Sequence, residues 1–366
     1  MTAVHRETLD PDFWRGRNVL LTGHTGFKGA WMALLLSRMG ARVTGVSLPP
    51  RDENSLYRLL APWNDLQSLD CDIRDADALG DVVRSVQPEI VIHMAAQALV
   101  GEAYADPLAT IRTNVIGTAN LLEPLRAVEA LSSILVITSD KVYENREHGI
   151  DFSENAALGG HDPSSASKAA AEVLTSAYRR SFFIERGVTV MTARAGNVIG
   201  GGEWAPTRLL PDLWRAYEAK SSVLMRNPGS VRPWQHVLDP LLGYLLLVQR
   251  SVRAPAETPA ALNFGPPREP VRTVLQVAEA FSKALDAGAL WTTDPSQTSF
   301  HESKFLSIDS SLAMRQLGWR TSLPVDDAIA WTGRWYRSYS DGENMRTVTN
   351  RQIDAYLELV ETPRRL

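Results

Sequence analysis

The sequence has almost no cysteine, no long apolar run and no excess of basic residues. Its 366 residues include one cysteine, Cys71, which excludes an internal disulfide and favours the reducing cytoplasm as its location. No apolar segment approaches the ~20 residues of a membrane-spanning helix, and the first residues lack the apolar core of a signal peptide. With 38 Lys and Arg against 42 Asp and Glu, the net charge is −4. We therefore expect neither a nucleic-acid partner nor a membrane partner.

Two common catalytic signatures are also missing. Histidine and carboxylate residues nowhere show the spacing of a metal site, so no metal ion is expected. The nucleophile elbow of the serine hydrolases is absent as well. Hydrophobic residues make up 44% of the chain and charged residues 22%, which is ordinary for a globular protein with an ample core.

Short apolar runs alternate with segments of helical periodicity through the first half of the chain. The predicted strands are 18–23, 41–48, 89–96, 132–140 and 188–196, and the longest predicted helices are 27–40, 107–131 and 164–187. This alternation predicts an α/β fold, a Rossmann-type doubly wound parallel sheet with helices on both faces. Ligands bind such sheets at the carboxyl ends of the strands.

The alternation weakens after residue 195, where short segments rich in proline and glycine follow. This change predicts a first domain at 1–195 and a smaller C-terminal substrate lobe at 196–366, which is partly discontinuous with the first domain.

Gly23, Gly26 and Gly29 form a G-x-x-G-x-x-G pattern between a predicted strand and a predicted helix. The tight turn needs a residue without Cβ, and close approach of a pyrophosphate needs another. The helix N-terminus adds N–H donors and the positive end of a dipole. The pattern predicts a dinucleotide cofactor; the alternative is a glycine-rich turn without a ligand.

The residues leave the choice between NAD and NADP open. The second predicted strand ends in GVSLPPR, without the acidic residue that often binds the ribose 2′-hydroxyl of NAD. Arg51 is either a partner for a 2′-phosphate or a solvated loop arginine. Asp72 and Ile73, after the next strand, are placed to contact an adenine edge; the alternative for Asp72 is a turn-capping aspartate.

Eight segments together resemble a known family. They are TGHTGFKGAW, HMAAQALV, TNVIGTANLLE, TSDKVYEN, GGHDPSSASKAAAE, RAGNVIGGGEWA, RNPGSVRPWQHVLDPLLGYLLL and NFGP, in family order from about residue 18 to 330. These segments resemble the extended short-chain dehydrogenase/reductases and, within them, the CDP-glucose 4,6-dehydratases. The resemblance implies that residues 1–195 bind NAD, that residues 196–366 mainly bind a nucleotide sugar such as a CDP-hexose, and that two chains form a homodimer through the two long helices.

The same resemblance implies roles for individual residues. It assigns the cofactor to Gly23, Thr25, Gly26, Phe27, Gly29, Asp72, Ile73, Ala95, Ala96, Gln97 and Lys168. It assigns the nucleotide sugar to Asn197, Arg208, Arg232, Trp234 and Asn263. Arg232 resembles an arginine that forks onto the diphosphate, a geometry that favours arginine over lysine. Arg194 is expected to brace a loop, and His236 to be a core histidine.

The segment TSDK resembles the acid/base set of a 4,6-dehydratase, which oxidises the sugar at C4, removes water across C5 and C6, and returns the hydride to C6. By this alignment Ser139 hydrogen-bonds the sugar near O4, Asp140 is the acid at the C6 hydroxyl, and Lys141 acts at C5. A protonated carboxyl and a neutral amine both require burial. The alternative is a strand-end turn with two solvated charges.

Ser164 departs from the family pattern, because the family carries a catalytic tyrosine four residues before the lysine that corresponds to Lys168. In the family this lysine holds the nicotinamide ribose and lowers the pKa of the phenol, one helical turn away. A serine hydroxyl is a poor base and a good helix cap. Ala98, Gly101 and Ile111 also depart, since the family usually has proline, arginine and an aromatic residue there. Several departures together indicate that the sugar site has drifted.

The loss of a positioned base typically costs ~10²–10⁴ in rate, which slows an enzyme without necessarily abolishing its activity. Asp140, or Ser164 through a water, is then a candidate acceptor for the O4 proton. Four interpretations follow: a working dehydratase, which is a lyase; an epimerase or other enolising enzyme on a keto-sugar nucleotide; an inactive nucleotide-sugar-binding protein; and an engineered Tyr-to-Ser variant. We favour the dehydratase.

Overall fold

The computed structural model describes residues 7–225, 227–267, 272–293 and 305–361. The strands are β1 (Asn18–Thr22), β2 (Arg42–Ser47), β3 (Leu66–Asp70), β4 (Ile90–His93), β5 (Ser133–Ile137), β6 (Thr189–Ala195), β7 (Val198–Ile199), β8 (Val223–Met225), β9 (Val231–Arg232), β10 (Gln235–His236), β11 (Ala261–Phe264), β12 (Arg272–Thr273) and β13 (Trp291–Thr293). The α-helices are α1 (Pro11–Trp14), α2 (Phe27–Arg38), α3 (Leu56–Leu59), α4 (Ala76–Val86), α5 (Val100–Ala105), α6 (Pro107–Ile111), α7 (Gly117–Leu125), α8 (Pro163–Tyr178), α9 (Leu209–Glu218), α10 (Leu238–Arg253), α11 (Val274–Ala284), α12 (Ser311–Leu317), α13 (Val325–Ser340) and α14 (Met345–Glu361).

Seven strands form one parallel sheet in the order β11-β6-β5-β4-β1-β2-β3. The order reverses between β1 and β4, and a ligand crevice opens at such a switch point. The predicted Rossmann-type α/β fold is confirmed. Strand β11 lies beyond residue 196 in the chain and still joins this sheet, next to β6.

The two faces of the sheet bury alternate residues of the same strands. Leu21 packs with α2 and α10 on one face, whereas Leu20 packs with α4 and α7 on the other. Because successive side chains of a strand point to opposite faces, a run such as NVLLT suits a strand that is covered on both sides. Because the strands are parallel, the helices that follow them begin at the same edge of the sheet, where the strands end.

Each of the two long predicted helices contains a π turn, and the first of them is also shorter than the sequence suggests. Between α6 and α7, residues Arg112–Ile116 form a π-helical turn, and α7 ends one residue after Pro124, which lacks an N–H donor. Helix α8 passes into a second π turn at Arg179–Phe183 and stops at Gly187, whose φ is +70°. A π turn offsets the face that a helix presents, and such turns are frequent at functional sites.

Among the described helices, none combines the length and the apolar composition that crossing a membrane would require.

Candidate active site

The loop between β1 and α2 and the first turn of α2 pack so closely that a side chain is excluded at two of the three glycines, Gly23 and Gly29. A Cβ on Gly29 would lie 2.0 Å from the carbonyl oxygen of Gly23, and a Cβ on Gly23 would lie 2.7 Å from the amide nitrogen of Ala95. Gly23 also has a φ of +78°, which favours glycine. A Cβ on Gly26 would meet that same carbonyl only at 3.4 Å, an ordinary contact, so packing alone does not demand glycine there.

Gly26 instead leaves the end of helix α2 open to a ligand. It is the N-cap of this 12-residue helix, and no side chain caps the first-turn N–H groups. Those groups and the helix dipole suit a phosphate. Phe27 follows and packs towards Gly200, while the Thr25 hydroxyl bonds to Ser47 Oγ at 2.7 Å. The cradle therefore fits the pyrophosphate of a dinucleotide.

Two side chains that the sequence suggested for the adenosine side of the cofactor already pair with protein groups. Arg51 pairs with Glu102 at 3.0 Å on the surface. Both carboxylate oxygens of Asp72 accept hydrogen bonds from Arg74, which lower the pKa of Asp72. Asp72 thus has local partners of the kind that a turn-capping aspartate has, whereas Ile73 is buried beside it.

The segment after β4 is held by a residue that the sequence analysis missed. Asn114 accepts a hydrogen bond from the backbone N–H of Gln97 at 2.8 Å and donates one to the Gln97 carbonyl at 3.0 Å. Its amide also reaches Ser167 on α8, at 2.8 Å. Asn114 lies in the π turn Arg112–Ile116, and the sequence periodicity gave no sign of this turn. Together with the Ala95 N–H, which donates to Thr22 Oγ1, it fixes the strip from Ala95 through Ala96 to Gln97.

Ser139, Asp140 and Lys141, the predicted acid/base residues, follow the end of β5. Asp140 is 3% exposed; its Oδ1 accepts a hydrogen bond from Ser139 Oγ at 3.0 Å, and its Oδ2 has no hydrogen-bond partner among the described residues. Burial raises the pKa of Asp140, and the nearby Lys141 and Arg232 only partly oppose the shift. A carboxyl in this state is a proton donor. Gly196 makes room for it, because a Cβ there would lie 3.1 Å from Oδ2.

Two lysines reach this edge from helices on opposite faces of the sheet. Lys168 of α8 donates to the carbonyl of Ile137 at 3.2 Å, and burial, with the cation of Lys28 nearby, lowers its pKa to about 8. Burial, with the cation of Arg208 nearby, lowers the pKa of Lys28 to about 8 as well. Lys28 was missed by sequence reasoning; the signal was a cation between Phe27 and Gly29 in an otherwise apolar first turn.

Ser164 lies in the first turn of α8 and is 7% exposed. Its backbone carbonyl accepts a hydrogen bond from Ser167 at 2.7 Å. The capping role that the sequence suggested for this serine belongs to Asp162, whose carboxylate accepts a hydrogen bond from the Ser165 N–H. The hydroxyl of Ser164 is therefore not needed to start the helix.

Two cavities open beside the acid/base set and meet at Arg232, which lines both. The larger, of about 240 Å³, lies in the C-terminal lobe and is also lined by Trp234, Arg272 and Phe305. The smaller, of about 50 Å³, is lined by Lys141. Arg232 thus shares the wall of one cavity with Trp234 and the wall of the other with Lys141. A guanidinium between a roomy cavity and a narrow one suits a diphosphate that joins two unlike groups.

The structure places the remaining predicted residues in different environments. Arg208 is exposed and donates to the carbonyl of Ala98 at 3.1 Å, and the backbone of Asn197 accepts from Gln235 at 3.0 Å. Asn263 is fully buried, and its side chain is occupied by Tyr143 and by the carbonyls of Phe152 and Asp309. Its contact with a ligand stays a prediction.

Two residues set aside in the sequence analysis are structural. Arg194 forms a buried bidentate pair with Glu172, which agrees with the expected bracing role. His236 lies between Trp31 and Trp331, and burial lowers its pKa to about 3, so it is a neutral core histidine. Within the described part of the chain, no group of three or more His, Cys, Asp or Glu could hold a metal ion.

Taken together, one sheet edge holds a cradle for a dinucleotide, a buried carboxyl with a raised pKa (Asp140), and two lysines, Lys28 and Lys168, whose pKa is lowered to about 8. Such a site can transfer a hydride to and from a bound nicotinamide while it moves protons on a neighbouring substrate.

Comparison with known proteins matches this arrangement. A family model described as GDP-mannose 4,6 dehydratase matches residues 20–332. The CDP-glucose 4,6-dehydratase of Salmonella typhimurium is 41% identical over 354 residues, which cover 95% of this chain and 98% of that protein.

Solved structures share the fold at lower identity. UDP-glucose 4-epimerase of Thermotoga maritima superposes with a TM-score of 0.77 at 19% identity, over 88% of this chain and 99% of that one. A dTDP-glucose 4,6-dehydratase of Streptomyces venezuelae, solved with NAD bound, superposes with a TM-score of 0.74 at 23% identity, over 89% of this chain and 98% of that one.

Proposed function

The chain belongs to the GDP-mannose 4,6 dehydratase family of the extended short-chain dehydrogenase/reductases, and on this basis we propose that it converts CDP-glucose into CDP-4-dehydro-6-deoxyglucose with NAD as a recycled cofactor. A nucleotide-sugar 4,6-dehydratase is a hydro-lyase. The CDP-hexose is the finer part of the proposal; it rests on the 41% identity with the Salmonella enzyme.

The observation that carries the proposal is the buried Asp140. Elimination across C5 and C6 needs an acid that protonates the departing C6 hydroxyl. Asp140 is buried and its pKa is raised, which favours the protonated form of the carboxyl that this step needs. The carboxyl lies at the end of β5, on the edge where the glycine cradle of β1 and α2 would place the nicotinamide.

Each neighbour of Asp140 then has a defined task. The nicotinamide, when bound, accepts the hydride from C4 and returns it to C6. Lys141, which lines the small cavity, removes the C5 proton once C4 is a ketone. Asp140 protonates the C6 hydroxyl, the C6–O bond breaks, and water leaves. Ser139 holds the sugar near O4, and Lys168 holds the nicotinamide ribose.

The two cavities suit the two ends of a nucleotide sugar. The cavity of about 240 Å³ is placed for the nucleoside, with Trp234 in its wall. The cavity of about 50 Å³, with Lys141, is placed for the sugar ring. Arg232 lines both and would bind the diphosphate between them.

The direct test is incubation of the protein with CDP-glucose and NAD in deuterated water, followed by mass spectrometry of the nucleotide sugars. We expect a product that has lost one water and carries one deuterium at C5, because Lys141 exchanges its proton with solvent before C5 is protonated again.

Each other outcome would contradict the proposal in a distinct way. Deuterium exchange on a keto-sugar nucleotide without net dehydration would mean an epimerase or another enolising enzyme. Calorimetric binding of the nucleotide sugar without any product would mean an inactive binding protein.

The exposed apolar residues of two helical stretches support a homodimer. Leu108, Ile111 and Ile116 on the α6–α7 stretch are 63%, 42% and 49% exposed, and Val173 on α8 is 59% exposed. Large apolar groups exposed together mark an association surface. We propose that these helices pack against the same helices of a second copy.

Val173→Glu is expected to weaken this dimer by about 10²-fold or more, because an unpaired charge buried in an apolar contact costs several kcal/mol. Sedimentation velocity across a concentration series measures the change. Met314→Glu on α12, where the side chain is 42% exposed, is the matched control and is expected to leave the association unchanged. A Val173→Glu variant that sediments like the unchanged protein would contradict the proposed interface.

A further inference from the structure

A histidine–carboxylate pair lies on the small cavity and has no task in the function proposed above. His161 Nε2 is 3.0 Å from Glu144 Oε1. Because a carboxylate only accepts hydrogen bonds, Nε2 carries the proton and Nδ1 keeps its lone pair when the ring is neutral. The His161 side chain is 54% exposed and lines the same cavity as Lys141.

The backbone holds this pair in place from both sides. The N–H of Glu144 donates to the carbonyl of Ala157 at 2.9 Å, and the N–H of Gly159 donates to the carbonyl of Val142 at 2.8 Å. Gly159 lets the carboxylate lie close, because a Cβ there would be 2.4 Å from Glu144 Oε2. His161 follows two residues later, immediately before the Asp162 cap of α8.

In the chain, His161 comes shortly before the position where a base is missing. Ser164 follows His161 by three residues and precedes Lys168 by four, the spacing at which the family carries its phenol. An alkyl hydroxyl is far too basic as an alkoxide to take a proton near neutral pH. The oxidation of C4 still requires an acceptor for the O4 proton, whichever residue supplies it.

We propose that His161, oriented by Glu144, accepts the O4 proton in place of the absent phenol. This inference rests on the proposed dehydratase function. The O4–H bond breaks and its proton passes to His161 Nδ1, the C4 ketone forms, and the hydride leaves C4 for the bound nicotinamide. The imidazolium is stabilised by the Glu144 carboxylate, the logic of an oriented general base. Over one turnover His161 gains one proton and Asp140 gives one proton to the leaving water, so the protons balance.

Several charged groups lie around the pair. Arg146 lies 3.8 Å from Glu144 on the solvent side. Lys141, Asp162 and Arg232 line the cavity itself.

The test compares His161→Gln in two backgrounds, the unchanged chain and Ser164→Tyr. Single-turnover appearance of reduced-nicotinamide absorbance with CDP-glucose isolates the oxidation step. In the unchanged background we expect His161→Gln to slow this step by about 10²–10³-fold. In the Ser164→Tyr background we expect less than about a threefold effect, because the restored phenol takes the proton. Glu144→Gln should follow the same pattern with a smaller loss.

His148→Gln, an exposed residue of the same loop, is the matched control and should leave the rate unchanged. Equal losses of rate in both backgrounds would show that His161 only supports the loop. No loss of rate in either background would show that another group takes the proton. Both results would overturn the inference without contradicting the proposed dehydratase function. If the unchanged protein does not dehydrate CDP-glucose, the proposed function fails and the inference fails with it.

Discussion

Asp140→Asn is expected to lower the turnover of CDP-glucose by about 10²–10⁴-fold while the initial oxidation at C4 continues. Asparagine keeps the shape of the side chain and can still accept from Ser139, but it has no acidic proton for the C6 hydroxyl. The enzyme should therefore stop after the first half of its cycle. Rapid-quench mass spectrometry should find a CDP-4-dehydrohexose that still has its C6 hydroxyl.

The same variant is expected to fold at least as well as the unchanged protein. Burial raises the folded-state pKa of Asp140 above its unfolded value, so this carboxyl lowers stability increasingly as the pH rises through that folded pKa. An amide has no such cost. The melting temperature of Asp140→Asn, relative to the unchanged protein, should accordingly rise as the pH increases from the ordinary carboxylate range towards the raised pKa of Asp140.

Asp65→Asn, at an exposed loop position, is the control for the chemical change itself. Unchanged turnover in Asp140→Asn would remove the acid from the proposed mechanism. Loss of the oxidation step as well would make Asp140 the acceptor of the O4 proton, which would contradict the role inferred for His161.

The sequence patterns predicted the architecture because they follow from local periodicity. Apolar runs such as NVLLT become strands buried on both faces, and the glycines at 23 and 29 are required by contacts of 2.7 and 2.0 Å within one loop. The sheet order places the carboxyl ends of the predicted strands on one edge, and the segment predicted to hold the acid/base residues lies there; their roles stay a prediction. Periodicity did not reveal the π turns, since these depend on how side chains pack against a neighbouring element.

Residues that act through long-range contacts were harder to find. Lys28 looks like one more variable position of a glycine motif until the fold brings it close to Asp140 and Lys168. The pairing of His161 with Glu144 spans 17 residues and depends on a loop that returns beside β5. Asn263 shows the opposite case, since its place in a family motif gave no sign that three protein groups already occupy its side chain.

Arg194→Met is expected to lower the free energy of unfolding by about 3–5 kcal/mol, the usual cost of breaking a buried ion pair by removing one partner. Both side chains of the pair are about 5% exposed or less, and Arg194 contacts the two oxygens of Glu172 at 2.8 Å each. The carboxylate also accepts from Thr138 and Thr192. Neither hydroxyl supplies a charge, so the variant leaves a buried anion without its bidentate partner.

Urea unfolding of Arg194→Met and of the unchanged protein measures this loss. Arg84→Met is the control: it removes an exposed pair in which the side chains of Arg84 and Asp81 are 64% and 77% exposed, and it should change stability by less than about 1 kcal/mol. A similarly small change in Arg194→Met would mean that the threonine hydroxyls alone suffice to keep the Glu172 carboxylate in the core.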